Sequence, residues 1–299
     1  MRFIIQVAST FISIYSVIAQ QNVNFNLTDS LRGWNSKGTT SLNFSNVGFS
    51  NWSGGGESAL SLSGDLEYQF LYVKEKIVFE NEINLIYGVT RIDGFNGFRK
   101  TDDQFTLRSL YGKRLSKRSY ITLLTEFWTQ MSNGFEYDDD DNQERKLVSR
   151  VLAPGYISSN LGFTAKKQDH YAITLSPFTG KLTMVLDDSL STAGAFGVNP
   201  GEHLRFEGGT SINGNFSVEF MQNTIFKISA NLFSNYNDFS TVDVNLTSSV
   251  RMNVNNLLSS KFSITLIYDE DVEVQRDDGT VGSAVQFRNM INVGLYLNL

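Results

Sequence analysis

Cysteine is absent from this chain, which excludes a disulfide-stapled fold and any thiolate metal site. Histidine is nearly absent: the only two are His170 and His203. Basic charge is in deficit, with 25 Lys and Arg against 31 Asp and Glu, a formal net charge of −6. With no basic patch or nucleic-acid motif either, nucleic acid is not an expected partner. There is no metal-ligand motif, phosphate loop or dinucleotide fingerprint, so no cofactor is expected. Long apolar runs are missing too. The one candidate, residues 3–18, is diluted by Gln6, Ser9, Thr10, Ser13 and Ser16, and falls short of the ~20 apolar residues of a spanning helix. Behind Arg2, and with Val17 and Ala19 at the small-residue positions, residues 1–19 read as a cleaved secretory signal, cut ahead of Gln20 or Gln21.

What the chain has in abundance is period-2 alternation, nearly continuous from Gly38 to the end. Leu60, Leu62, Leu66, Tyr68, Phe70 and Tyr72 share one face, and Ser61, Ser63, Asp65, Glu67 and Gln69 the other. Val242, Val244, Leu246, Val250, Met252 and Val254 split in the same way from Asp243, Asn245, Thr247, Arg251 and Asn253. A soluble β-sandwich would also alternate. Three features favour a membrane barrel instead. The segments are long enough to cross a bilayer when tilted, aromatics cluster near their ends, and the polar face carries charges of both signs in mid-strand.

The expected fold is therefore all-β: a closed antiparallel transmembrane β-barrel of about twelve strands. The expected strands are 38–49, 57–72, 76–92, 99–114, 119–137, 147–165, 170–178, 203–220, 224–236, 240–255, 260–273 and 284–299. Connections after even strands (73–76, 115–118, 166–169, 221–224, 255–259) are short and mostly basic. Those after odd strands include the acidic run 136–144, the stretch 179–202 and residues 270–282. Short turns are periplasmic in such barrels, which puts both termini in the periplasm. Residues 20–37 form a short periplasmic N-terminal segment and 38–299 the barrel, with no mark of a second domain.

The last strand carries its own signal. Ile291, Val293, Leu295, Leu297 and Leu299 alternate with Asn292, Gly294, Tyr296 and Asn298. Asn292, Gly294, Leu297 and Leu299 form the pattern that the outer-membrane insertion machinery reads, with Leu299 where an aromatic is usual. Outer-membrane lipid and that machinery are the expected partners, together with other outer-membrane proteins.

Irregular stretches interrupt the pattern: Gly33-Trp34, Asn51-Trp52-Ser-Gly-Gly-Gly56, Lys100-Thr-Asp-Asp103, Leu152-Ala-Pro-Gly155, Leu175-Ser-Pro-Phe-Thr-Gly180, Gly194-Ala-Phe-Gly197 and Tyr268-Asp269. With the closing strand, they make residues 34–299 resemble an uncharacterised family of Bacteroidetes outer-membrane proteins, a domain of unknown function. The resemblance implies a β-barrel in a Gram-negative outer membrane and brings no catalytic residues. Asn51-Trp52 and its glycines read either as a connection folding the indole into the lumen or as a tight turn with a girdle tryptophan. Pro154 and Pro177 mark strand ends or bulges. Residues 175–200 are expected to lie partly inside the barrel or as a cap over it, with a simple mobile outer loop as the alternative.

Asp138–Asp141 with Glu144 could gather oxygens for Ca²⁺, but lacks the spacing of an EF-hand and reads better as a solvated hairpin tip. Inward charges are expected at Asp65, Glu67, Glu80, Glu82, Asp102, Arg108, Glu126, Arg205, Glu207, Glu219, Lys227, Asp243, Arg251, Asp269 and Arg288. Buried charges must pair or meet water, so Arg108 is expected to form a lumenal network with Glu80, Glu82 and Glu126. A filled lumen in a structural or accessory subunit of an outer-membrane assembly is the leading expectation. A narrow solute channel is the alternative, and a barrel-embedded hydrolase the second. Enzyme activity is not expected, since His170 and His203 fall on opposite membrane sides and lack a partnered nucleophile.

Overall fold

The computed structural model describes residues 33–48, 58–95, 97–137, 145–167, 170–255, 257–270, 274–275 and 280–299. The expected signal at 1–19, most of the N-terminal segment, the Asn51-Trp52 turn and the acidic run 138–144 lie outside the described residues. In chain order the strands are β1 (Gly33–Val47), β2 (Ala59–Lys74), β3 (Ile77–Ile92), β4 (Arg99–Arg114), β5 (Ser119–Thr129), β6 (Gly134–Tyr137), β7 (Arg145–Ser149) and β8 (Gly155–Lys167). They continue as β9 (Tyr171–Met184), β10 (Leu204–Met221), β11 (Thr224–Asn235), β12 (Asp238–Asn253), β13 (Leu258–Tyr268), β14 (Val274–Gln275), β15 (Val281–Gly282) and β16 (Gln286–Asn298). Twelve of them close into one antiparallel barrel in the order β1-β16-β13-β12-β11-β10-β9-β8-β5-β4-β3-β2. β6 with β7 and β14 with β15 form separate two-stranded sheets.

The polarity of the wall separates this fold from a sandwich. In a sandwich the apolar face of each strand is the buried one. Here it is the reverse: Thr122 and Thr164 are 1% and 3% exposed, while Leu123 and Phe163 on the same strands are 44% and 57% exposed. Leu62, Leu107, Leu161, Ile173, Ile212 and Leu295 extend the exposed apolar surface around the barrel. An apolar exterior around a polar interior is what a bilayer demands of a closed sheet. Among the described residues no helix is long and apolar enough to cross a membrane.

The two ends of the barrel differ. At one end β2–β3 and β10–β11 turn through Glu75-Lys76 and Gln222-Asn223, with Glu75 and Asn223 at positive φ. The start of β1 lies at this end, as does Leu299, which exchanges backbone hydrogen bonds with Gly38. At the other end lie the long connections between β5 and β8 and between β9 and β10. The two-residue turn Tyr236-Asn237 between β11 and β12 is an exception there.

Several expected boundaries are corrected. The barrel begins at Gly33 rather than residue 38, because residues 33–37 continue the ladder against residues 69–73 of β2. The expected strands 119–137 and 147–165 each break in two. Thr129 Oγ1 donates to Pro154 O and accepts from Leu152 N, which ends β5 and leaves β6 and β7 to pair with each other outside the barrel. The seventh barrel strand runs to Met184 rather than 178. Glu219 has inward parity, but it is exposed at the turn and accepts from Asn223 N.

Candidate functional site

Register places one charged row across the wall: Glu82 of β3 lies opposite Arg108 of β4, and Arg108 opposite Glu126 of β5. Neighbouring strands lie about 4.8 Å apart, so an arginine in the central strand reaches both carboxylates. Arg108 Nε is 3.2 Å from Glu126 Oε1 and Nη1 is 3.7 Å from Glu82 Oε2, with all three side chains buried. Glu80, one inward position closer to the short turns, accepts from Gln69 Nε2. Beyond it, Leu71, Val73, Val78, Leu110 and Leu124 form an inward apolar cluster. This side of the lumen is therefore packed, first with oil and then with paired charge.

A second group lies toward the long-loop end. Lys181 Nζ of β9 is 3.1 Å from Asp243, 3.5 Å from Asp269 and 3.7 Å from Glu207. Glu207 also accepts from Arg205 at 2.9 Å and from Asn235 Nδ2 at 3.2 Å. β9 and β12 are three places apart in the barrel order, so the Lys181–Asp243 pair bridges across the interior. Arg288 of β16 and Asp102 of β4 make another such crossing. Beside Lys181 is a cleft of about 720 Å³ of empty space, lined in part by Tyr156, Asn160, Asn231, Phe233 and Tyr268.

Lys181 is the principal residue that the sequence pattern does not reveal. Along the first half of β9 the inward residues are Ala172, Thr174 and Ser176, and beyond it they are Thr179 and Thr183. The parity flips because the ladder to β10 jumps from Ser211↔Ser176 to Gly209↔Thr179, a bulge at Pro177-Phe178. A bulge inserts one residue and re-aims everything after it. Gly162 of β8 accommodates the bulged backbone: a Cβ there would lie 2.2 Å from Leu175 O. The available signal was the Pro177 inside an otherwise regular strand.

The mouth collects the irregular motifs. Lys100 Nζ donates to Asp103 Oδ2 at 2.8 Å, to Gln130 Oε1 at 2.7 Å and to Ser132 O at 3.0 Å. Asp103 also accepts from the backbone N–H groups of Met131 and Ser132, and Ser149 Oγ donates to Gln130. This fastens the β6–β7 pair to the rim. Between β9 and β10 the chain forms a short helix, α1 (Asp188–Thr192). Leu190 and Val198 pack there with Ala153 and Val185, and Phe196 packs against Trp128 and Tyr156. Of the expected cap at 175–200, residues 175–184 thus belong to β9 and the remainder folds over the mouth.

Asp187 caps α1, accepting from Ser189 Oγ, Ser189 N and Leu190 N at 2.5, 3.0 and 3.1 Å. Arg150 Nη1 adds a fourth bond at 3.0 Å. These bonds, the one from the Ser189 side chain foremost, hold the carboxyl down at about 2. His203 Nδ1 bonds Val185 O at 2.7 Å at the mouth, whereas His170 lies in the β8–β9 turn at the other end. Among the described residues no group of three or more His, Cys, Asp or Glu is arranged to hold a metal ion. In β16, Asn292 lies opposite Lys261, Gly294 lies opposite Asn43 and Leu297 is exposed, as is Leu299 just after the strand. A Cβ on Gly294 would meet Leu42 O at 2.4 Å, so this position tolerates only glycine.

Residues 44–135 match a protein family described as a protein of unknown function (DUF3078). No curated protein matches the chain. Among solved structures, the translocator domain of autotransporter NalP from Neisseria meningitidis is similar at 9% identity. That alignment covers 90% of this chain and 91% of that one, with a TM-score of 0.39. A porin is similar at 8% identity, covering 89% of this chain and 100% of that one, with a TM-score of 0.33.

Proposed function

We propose that this protein is an integral outer-membrane β-barrel of a Gram-negative bacterium, with a largely filled lumen and both termini periplasmic. Its role on this reading is that of a structural or accessory subunit of an outer-membrane assembly rather than an enzyme. The membrane placement is supported by the apolar exterior of the barrel. The observation that carries the filled lumen is the buried row Glu82–Arg108–Glu126, where three charged side chains occupy space that an open pore would give to water. Two bridges across the interior, Lys181 with Asp243 and Arg288 with Asp102, favour the same reading.

The competing reading is a narrow channel, favoured by the half-exposed inward residues of β12 and β13 such as Arg251 and Lys261. Single-channel recording in planar bilayers separates the two. The purified barrel is expected to insert and give no stable open state in the nanosiemens range. Long-lived, uniform conductance steps from the wild type would overturn the filled lumen and put the channel first.

A further inference from the structure

The ladder that closes the barrel is its shortest. β1 pairs with β16 only from Thr39↔Asn298 to Asn43↔Gly294, with Gly38 and Leu299 joined just below. Yet β1 pairs with β2 along its whole length, from Gly33↔Val73 to Val47↔Ala59. β16 likewise pairs with β13 from Leu295 as far as Gln286. Above Asn43 and Gly294, residues 44–47 and 290–293 therefore run as two edges with no ladder between them. Phe44, Ile291 and Val293 are 65%, 70% and 54% exposed on the outer surface there, so the gap opens at the level of the apolar belt. Hydrocarbon cannot satisfy the N–H and C=O groups of a bare edge. An occupant that brings its own polar atoms is called for.

Directly behind the gap is a cavity of about 540 Å³ of empty space, lined by Asn43 of β1, Asn292 of β16, and Arg251 and Lys261 of β12 and β13. Its two acids are already engaged: Asp65 accepts from Ser41 Oγ, and Asp102 is held by Arg288. Its two cations make no direct ion pair. Among the described residues neither Lys261 nor Arg251 has a carboxylate within 4.0 Å, and Arg251 lies over the Tyr296 ring at 5.0 Å. A polar chamber that presents Arg251 and Lys261 side by side on adjacent strands thus lies behind the gap.

We propose that this cavity binds the phosphate-bearing head group of an anionic amphiphile, whose acyl chain leaves through the gap between β1 and β16 into the bilayer. Lys261 and Arg251 take the phosphate. Asn43 bonds a glycerol hydroxyl, and ester oxygens accept from the N–H groups of the open edges. The tail lies between Phe44 and Ile291. This rests on the membrane-spanning reading above.

The test uses the heat-modifiable barrel in nonionic detergent, with binding read by native mass spectrometry. Lysophosphatidylglycerol is expected to bind at least ten-fold more tightly than lysophosphatidylcholine or free glycerol phosphate. Lys261→Gln with Arg251→Gln should remove that preference. Because the chain has no cysteine, Ser45→Cys with Asn292→Cys offers a single disulfide across the gap. Oxidation should abolish lipid binding and reduction restore it, and Asn292→Trp, filling the gap, should act as the oxidised form does. Equal binding of glycerol phosphate would mean an anion site without a portal, and unchanged binding in both the oxidised and Trp variants would rule out the gap as the route. Either overturns the proposal. A barrel that is not heat-modifiable before any lipid is added would overturn the membrane-spanning reading itself.

Discussion

Arg108 and Lys181 each gather carboxylates, but their surroundings differ. Arg108 is walled in by two buried acids, whereas Lys181 and its partners Asp243 and Asp269 keep about a fifth of their side-chain surface exposed. Removing one partner of a fully buried pair leaves an uncompensated charge and costs ~3–5 kcal/mol. Where water reaches the group, the loss is nearer that of a charged hydrogen bond, ~2 kcal/mol. Arg108→Ala should therefore lower the heat-modification temperature more than Lys181→Met. The shorter contact to Glu126 also implies that Glu126→Gln is more damaging than Glu82→Gln. Equal effects in both comparisons would mean that water fills the lumen around Arg108 as well. The Glu82–Arg108–Glu126 row is legible in the sequence because β3, β4 and β5 keep their parity across that level. Lys181 is not, because its parity is set by a bulge.

At the level of elements, the mouth rests on a helix too short to stand alone. α1 has five residues, far fewer than an isolated helix needs, so its position depends on the Asp187 cap and on the packing of Leu190. The Asp187 carboxyl titrates at about 2 rather than the ordinary 3.8. Its charged form is favoured in the fold, so its stabilisation is complete above about pH 4. It fades as the pH falls through 2. Pepsin digestion should accordingly nick residues 185–203 slowly at pH 4 and much faster at pH 2. Asp187→Ala should be cut quickly at both. A wild type with the same nicking rate, scaled for pepsin activity, at the two pH values would show that the cap does not depend on this carboxylate. Alternation alone could not have located this element, since neither Asp187 nor Phe196 belongs to a period-2 pattern, and the β9 strand that leads into it is disguised by Pro177 and Gly180.

For the whole molecule, the decisive property is an inverted polarity, apolar outside and mostly polar inside, that recurs around the barrel wall. Residue pairs such as Thr122 and Leu123 state it locally, and twelve strands of it leave no arrangement but closure. That is why strand number and most turns were readable from the residues, while the separate pairing of β6 with β7 was not: the break before it depends on Thr129 bonding residues more than twenty positions away. The proposed membrane placement also implies a direction for the barrel. In barrels of this kind the short turns face the periplasm and the long connections face outward. Gln222 lies in a short turn, whereas Thr192 lies on the cap, and both are exposed. With no native cysteine to interfere, Gln222→Cys and Thr192→Cys each report on one side. A membrane-impermeant maleimide applied to intact cells should label Thr192→Cys and spare Gln222→Cys until the outer membrane is permeabilised. The reverse pattern would turn the barrel over, placing its charge-lined mouth and cap in the periplasm, where they would meet partners inside the envelope rather than outside it.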